Sequence, residues 1–199
     1  MNTIFFDLGN VLIFFSLKKM FDQLASCIGL SVSDIQEYLM REKIAEKYEV
    51  GRMTSQELYQ TLLKKSPKNF SFEQFMHAMA DIFTPNTDLW PIVEQLHAEK
   101  NRLVLLSNTN ECHFRFAYSA FPILKLFDRF ILSYEVGASK PSTQIFQRAL
   151  QEAEGKTFYT DDIPAFIEAG RAAGLDAETF CDAATLKRQL SERGFIKFP

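Results

Sequence analysis

The sequence predicts an α/β protein, a doubly wound parallel sheet with a helical bundle inserted after the first strand. Three observations predict it. A strand-like run, Thr3-Ile4-Phe5-Phe6, opens the chain with β-branched and aromatic residues. Roughly seventy residues of helix signal without strand signal follow. After Trp90, short apolar runs alternate with helical periodicity to the end, the pattern of a parallel sheet covered on both faces. Both ends of the chain therefore build one core, at 1–15 and 85–199, with a helical cap at 16–84.

Within the insert, Leu17, Met20, Phe21, Leu24 and Ile28 recur at helical spacing. Thr54-Ser-Gln-Glu57 and Ser71-Phe-Glu-Gln74 read as capping boxes, in which side chains satisfy N–H groups left unpaired at a helix start. Gly29 and Gly51 fall at breaks between helices. The second half predicts helices over 87–100, 110–120, 142–153, 164–173 and 183–193. Strands are predicted over 103–106, 130–132, 157–160 and, more weakly, 177–180. Gly174 stands where a helix C-terminus favours glycine.

Composition narrows the class. The chain has 199 residues, 47% hydrophobic and 24% charged, enough for a sizeable core. A net charge of −3 gives no footprint for nucleic acid. Cys27, Cys112 and Cys181 are far apart, without a CxxC, which fits neither a disulfide framework nor a zinc site and points to a reducing, cytoplasmic setting. The histidines, His77, His97 and His113, are equally scattered and read as surface or packing residues. No run approaches the ~18 apolar residues of a membrane span, and the apolar start is interrupted by Asp7. No membrane or nucleic-acid partner is expected, and nothing in the sequence sets an oligomeric state.

In open parallel sheets, ligands bind beyond the carboxyl ends of the strands. Asp7 follows the first strand, Ser107-Asn108-Thr109 the second, Lys140-Pro141 comes several residues after the third, and Asp161-Asp162 follow the fourth. Three carboxylates on one edge repel one another, and a hard divalent cation such as Mg²⁺ relieves that repulsion. A lysine and a small hydroxyl are suited to a bound phosphate. The set reads as a magnesium site for phosphoryl transfer, with a carboxylate as nucleophile. Each residue also has a plainer reading: Asp161, Asp162, Ser107 or Asn108 as a helix cap, Lys140 as a solvated loop lysine. Asp7, between apolar runs, is costly to bury without a partner.

Phe6-Asp7-Leu8-Gly9-Asn10-Val11-Leu12, Leu106-Ser107-Asn108-Thr109-Asn110, Ser139-Lys140-Pro141 and Thr160-Asp161-Asp162 resemble, in order, the four motifs of the haloacid dehalogenase (HAD) superfamily. The insert sits where that superfamily places its C1 cap, and Tyr48-Glu49-Val50-Gly51-Arg52-Met53-Thr54 is similar to a recurrent stretch of such caps. The Asp-Leu-Gly-Asn-Val opening and the Leu-Ser-Asn-Thr-Asn run resemble the bacterial α-D-glucose-1-phosphate phosphatase subgroup. The resemblance implies a Rossmann-like core and a Mg²⁺-dependent phosphatase of a small phosphorylated metabolite, a sugar phosphate among the options. It implies that Asp7 is the nucleophile and a metal ligand, and that Gly9 gives its backbone carbonyl to the metal. Ser107 and the backbone of Asn108 would bind phosphoryl oxygens, and Lys140 would neutralise charge. Asp162 would be a metal ligand, with Asp161 either a ligand or its partner.

The chain departs from that pattern at Gly9, where most phosphatases of the superfamily carry a second Asp as general acid/base, and at Phe166, where the superfamily often has Asn. Loss of a general acid typically costs about 10²–10⁴ in rate. A dehalogenase of the same fold and a catalytically degenerate binding protein are the alternatives. Phe14, Phe15, Tyr48, Glu49 and Arg52 are candidates to line the cavity between cap and core.

Overall fold

The computed structural model describes residues 1–197. The chain begins with β1 (Thr3–Phe6) and β2 (Ile13–Phe15), then enters five helices: α1 (Leu17–Ile28), α2 (Val32–Arg41), α3 (Ile44–Glu49), α4 (Ser55–Leu63) and α5 (Phe72–Ala80). It returns through β3 (Phe83–Pro85) and α6 (Trp90–Ala98) to β4 (Arg102–Ser107) and α7 (Glu111–Ala120). A 3-10 turn over Pro122–Leu126 leads to β5 (Arg129–Leu132), α8 (Ser133–Val136) and α9 (Thr143–Leu150). The chain closes with β6 (Thr157–Asp161), α10 (Pro164–Ala172), β7 (Ala177–Thr179) and α11 (Ala183–Glu192).

Five of these strands form a parallel sheet in the order β5-β4-β1-β6-β7. The first strand of the sequence is thus central, and the chain winds outward from it in both directions. The period of two is legible in the core. Ile4 and Phe6 pack with Leu103, Leu105 and Phe158 on one face, and Phe5 packs with Val104, Leu106 and Tyr159 on the other. Phe6 is in register with Leu105 and with Thr160, so Asp7, Ser107 and Asp161 reach the same edge of the sheet.

The inserted helices have a core of their own around Leu24, Ile28, Ile35, Leu58 and Phe75. Both capping boxes are made: Thr54 with Glu57, Ser71 with Gln74. Each contributes on the order of 1 kcal/mol to its helix start. Entry to and exit from these helices are joined by an antiparallel ribbon, β2 with β3, that pairs Phe15 with Phe83. The ribbon is three residues a side, too short for periodicity to reveal.

Two predicted helices are shorter than expected. The one expected over 87–100 starts only at Trp90, with Pro91 in its first turn, because 86–89 is taken up by a turn in which Asn86 Nδ2 holds the Val11 carbonyl at 2.7 Å. The one expected over 142–153 ends at Leu150, where the chain turns to bring Glu152 onto Arg102.

Candidate active site

The buried ammonium of Lys140 is the centre of the polar cluster at the sheet edge. Its three protons have three acceptors: Asp7 Oδ1 at 2.8 Å, Asp161 Oδ2 at 2.5 Å and the Leu106 carbonyl at 2.9 Å. Lys140 arrives on the loop before α9, and the Asn108 side chain pins it there. Asn108 Oδ1 accepts from the Lys140 N–H at 2.7 Å, and Asn108 Nδ2 donates to the Lys140 carbonyl at 3.0 Å. The sequence assigned Asn108 by its backbone; its side chain has a second, purely positional part.

Burial alone would lower the pKa of Lys140, but Asp7 and Asp161 more than offset it, and its pKa is raised. Burial pushes the Asp7 carboxyl up to about 6, against the pull of Lys140 and with the push of Asp161. Two buried carboxylates share one cation, and Asp162 adds a third. One oxygen from each of Asp7, Asp161 and Asp162 lies within 4.8 Å of the others. The donor set is all oxygen and its net charge is negative, which fits a hard divalent cation.

The acidic pair divides its work. Asp161 is fully buried, and both its oxygens are engaged. Oδ2 accepts from Lys140 and from the Tyr159 hydroxyl at 2.5 Å, and Oδ1 accepts from the Ile163 N–H at 2.9 Å. Asp162, half-buried, is held among the described residues through one oxygen, by Asn10 Nδ2 at 3.1 Å. Asn10 makes that contact from a left-handed turn, φ 55°, which asparagine tolerates. Tyr159 is a site residue that the sequence reading missed. It lies two positions before Asp161 on a strand, and the period of two puts both on one face. Phe166, at the superfamily's Asn position, sets its ring 5.2 Å from Lys140 Nζ.

Ser107 is buried at the end of β4, facing the same edge. Gly9 lies in the tight loop after Asp7, and a Cβ there would stand 2.8 Å from the ring edge of Phe15. An aromatic side chain from β2 thus occupies the space beside the position where an acid would project.

A cavity of about 470 Å³ opens between this edge and the helices. Gly9, Ser107, Asn108, Thr109 and Asn110 form its floor; Phe15, Tyr48 and Glu49 line it, whereas Phe14 and Arg52 do not. Phe14 alternates to the other side of its ribbon. Burial, more than the opposing pull of Lys140, raises the Glu49 carboxyl.

Three contacts tie the helices to the core around this cavity. Ser133 Oγ lies 2.7 Å from the Glu49 carbonyl, 2.8 Å from the Thr109 carbonyl, and accepts from the Thr109 N–H at 2.9 Å. The Tyr48 hydroxyl meets Ser55 Oγ at 2.8 Å, which reaches Glu111 at 3.3 Å. His113 Nε2 lies 3.1 Å from the Met79 carbonyl and Nδ1 lies 3.0 Å from Asn110 Nδ2. The Met79 carbonyl only accepts and the Asn110 amide nitrogen only donates, so the imidazole is neutral with its proton on Nε2. Gly51 lets the α3–α4 turn close onto α8: at φ +69°, a Cβ would come within 2.1 Å of the Tyr134 carbonyl oxygen.

A central-strand carboxylate, a buried lysine and an acidic pair on one sheet edge, beside inserted helices, suit an α/β hydrolase. The haloacid dehalogenase-like hydrolase family model matches residues 1–174, and the chain belongs to that family. It is 26% identical over 188 residues to D-ribitol-5-phosphate phosphatase of Bacteroides thetaiotaomicron, covering 89% of each protein. Among solved structures, a HAD family enzyme of the same organism superposes with a TM-score of 0.83 at 22% identity, over 96% of this chain and 98% of that one. That enzyme has also been solved with magnesium and inorganic phosphate (TM-score 0.79, 24% identity, 92% and 95% covered). A HAD-like hydrolase from Porphyromonas gingivalis superposes with a TM-score of 0.77 at 26% identity, over 96% and 98%.

Proposed function

We propose that this hydrolase is a Mg²⁺-dependent phosphatase of small organic phosphate monoesters, acting through an aspartyl-phosphate at Asp7. The observation that carries the proposal is the Lys140 ammonium bridging Asp7 and Asp161, with Asp162 beside them. The magnesium and phosphate bound by the B. thetaiotaomicron enzyme, and the polyol phosphate named for the D-ribitol-5-phosphate phosphatase, support the same class.

In this reading Asp7, Asp162 and the Gly9 carbonyl hold the ion, which when bound offsets charge on the phosphoryl group. Asp161 serves Lys140 rather than the metal, since its oxygens are already engaged. Ser107 and the Asn108 N–H orient the phosphoryl oxygens. An oxygen of Asp7 attacks phosphorus, the ester P–O bond breaks, and its electron pair leaves with the alcohol oxygen. With no acid at Gly9, that oxygen takes its proton from water. A second water then attacks phosphorus and returns Asp7 as a carboxylate with inorganic phosphate. Lys140 stays protonated throughout and sets its charge against both phosphorylated and free Asp7. Residues 16–84 act as the cap that selects the leaving group, over a core at 1–15 and 85–199, and the free thiols fit a cytoplasmic setting.

A dehalogenase would also need no acid at Gly9, but it has no use for three gathered carboxylates. A panel of phosphorylated and halogenated substrates, each with Mg²⁺ and with EDTA, tests the reading. Phosphate release that EDTA abolishes is expected. Metal-independent halide release would establish a dehalogenase, and no turnover of either kind a binding protein.

A further inference from the structure

The cavity over the site is divided by chemistry. Its floor supplies the polar groups of the phosphate end. The walls contributed by β2 and the inserted helices are hydrocarbon, among them Phe15, Leu17, Met20, Phe21, Leu39 and Met40. Of the polar side chains on that side, Tyr48 has its hydroxyl on Ser55, which leaves Gln36 and Glu49 facing the space. A polyol or sugar chain carries a hydroxyl on nearly every carbon. Enclosed here, most of those hydroxyls would lose water without gaining a partner, which is costly.

A second observation points the same way. Apolar side chains left in water together, as one patch, usually mark a surface that something covers. Phe15 is 39%, Leu17 49% and Met40 75% exposed, and all three line this cavity.

Resting on the phosphatase reading, we propose that the leaving group is an apolar alcohol, an alkyl or aryl-alkyl residue, so that the substrate class is the monophosphate ester of a hydrophobic alcohol rather than of a polyol. The reaction is ester plus water to alcohol plus inorganic phosphate. The apolar body lies against Leu17, Leu39 and Met40 while the phosphoryl group reaches Ser107 and Asn108. A volume near 470 Å³ suits a body of one or two rings or a short chain. Polarity, not leaving-group basicity, sets this preference, because polyol oxygens are the slightly less basic ones and depart the more easily.

The test measures kcat/KM, with Mg²⁺, for primary phosphates of similar leaving-group basicity: n-hexyl and 2-phenylethyl phosphate against glycerol phosphate and D-ribitol 5-phosphate, with p-nitrophenyl phosphate as the activity control. At least tenfold higher kcat/KM is expected for the apolar pair. Leu17→Gln and Met40→Gln, at exposed positions that the fold does not need buried, should each narrow that ratio several-fold, mainly through KM for the apolar esters. Equal or faster turnover of the polyol phosphates, or a ratio unmoved in both variants, would overturn the proposal while leaving the phosphatase reading intact. No Mg²⁺-dependent phosphate release from any ester, the control included, would overturn both.

Discussion

The hydroxyl of Tyr159 donates to Asp161 Oδ2 at 2.5 Å, on the same carboxylate oxygen that accepts from Lys140. A buried phenol thus braces the carboxylate that braces the lysine. Tyr159→Phe removes one donor from a buried anion and should lower stability by about 1–3 kcal/mol. Asp161→Asn weakens the Lys140 pair itself and should cost more, about 3–5 kcal/mol. Urea unfolding of the two variants checks the order; an unchanged midpoint for Tyr159→Phe would mean that the phenol packs rather than braces.

Asp162 should behave in the opposite way. It is half-buried and held, among the described residues, by Asn10 alone, so Asp162→Asn should leave the urea midpoint near that of the wild type and weaken Mg²⁺ binding at least tenfold. Calorimetric titration measures both variants of the acidic pair. Unchanged affinity in Asp162→Asn would take that residue out of the metal site.

Gly9 and Phe15 form a linked pair. Gly9→Asp alone must move the Phe15 ring, which its Cβ would meet at 2.8 Å. The single variant should therefore be destabilised, and the double variant Gly9→Asp/Phe15→Ala should recover stability. Without an acid, and among esters of comparable polarity, the wild type should turn over aryl and acyl phosphates faster than simple alkyl phosphates. The double variant should flatten that dependence. A series of esters graded by leaving-group pKa is the measurement, and a flat wild-type profile would show that another group supplies the proton.

His113 gives the junction between helices and core a pH dependence. Burial lowers its pKa to about 4 from 6.5, against the bond to the Met79 carbonyl, which raises it. The unfolded chain takes up a proton near pH 6.5 and the folded protein not until about 4. Stability is therefore lost as pH falls through that window, by about 2 kcal/mol after allowance for the partial exposure of the ring. His113→Gln should remove this component. Urea midpoints at pH 7, 5.5 and 4.5 for both proteins test it; parallel curves would mean that carboxylates alone carry the acid sensitivity.

Much of this site was legible before any coordinates. Asp7, Ser107, Lys140 and the Asp161-Asp162 pair follow strands, and strand ends in a parallel sheet converge whatever their distance along the chain. Tyr159 was hidden because an aromatic in a strand reads as packing, and only its spacing from Asp161 marks it. The β2–β3 ribbon escaped because three residues carry no period. Phe15 beside Gly9 could not be read either, since its place depends on how that ribbon folds back over the loop. His113 reads in the sequence as a surface or packing residue, and what that leaves out is that its two partners lie on different elements, Asn110 at the start of α7 and Met79 in α5.

In the proposed reaction Asp7 carries the phosphoryl group. Rapid-quench labelling with a radioactive phosphate ester and Mg²⁺, followed by mass spectrometry of the N-terminal peptide, tests it most directly. An acid-stable, hydroxylamine-labile phosphate on Asp7 is expected in the wild type and none in Asp7→Asn, whose turnover should be abolished. Phosphate release at wild-type rates from Asp7→Asn, or a label on any other residue, would contradict it.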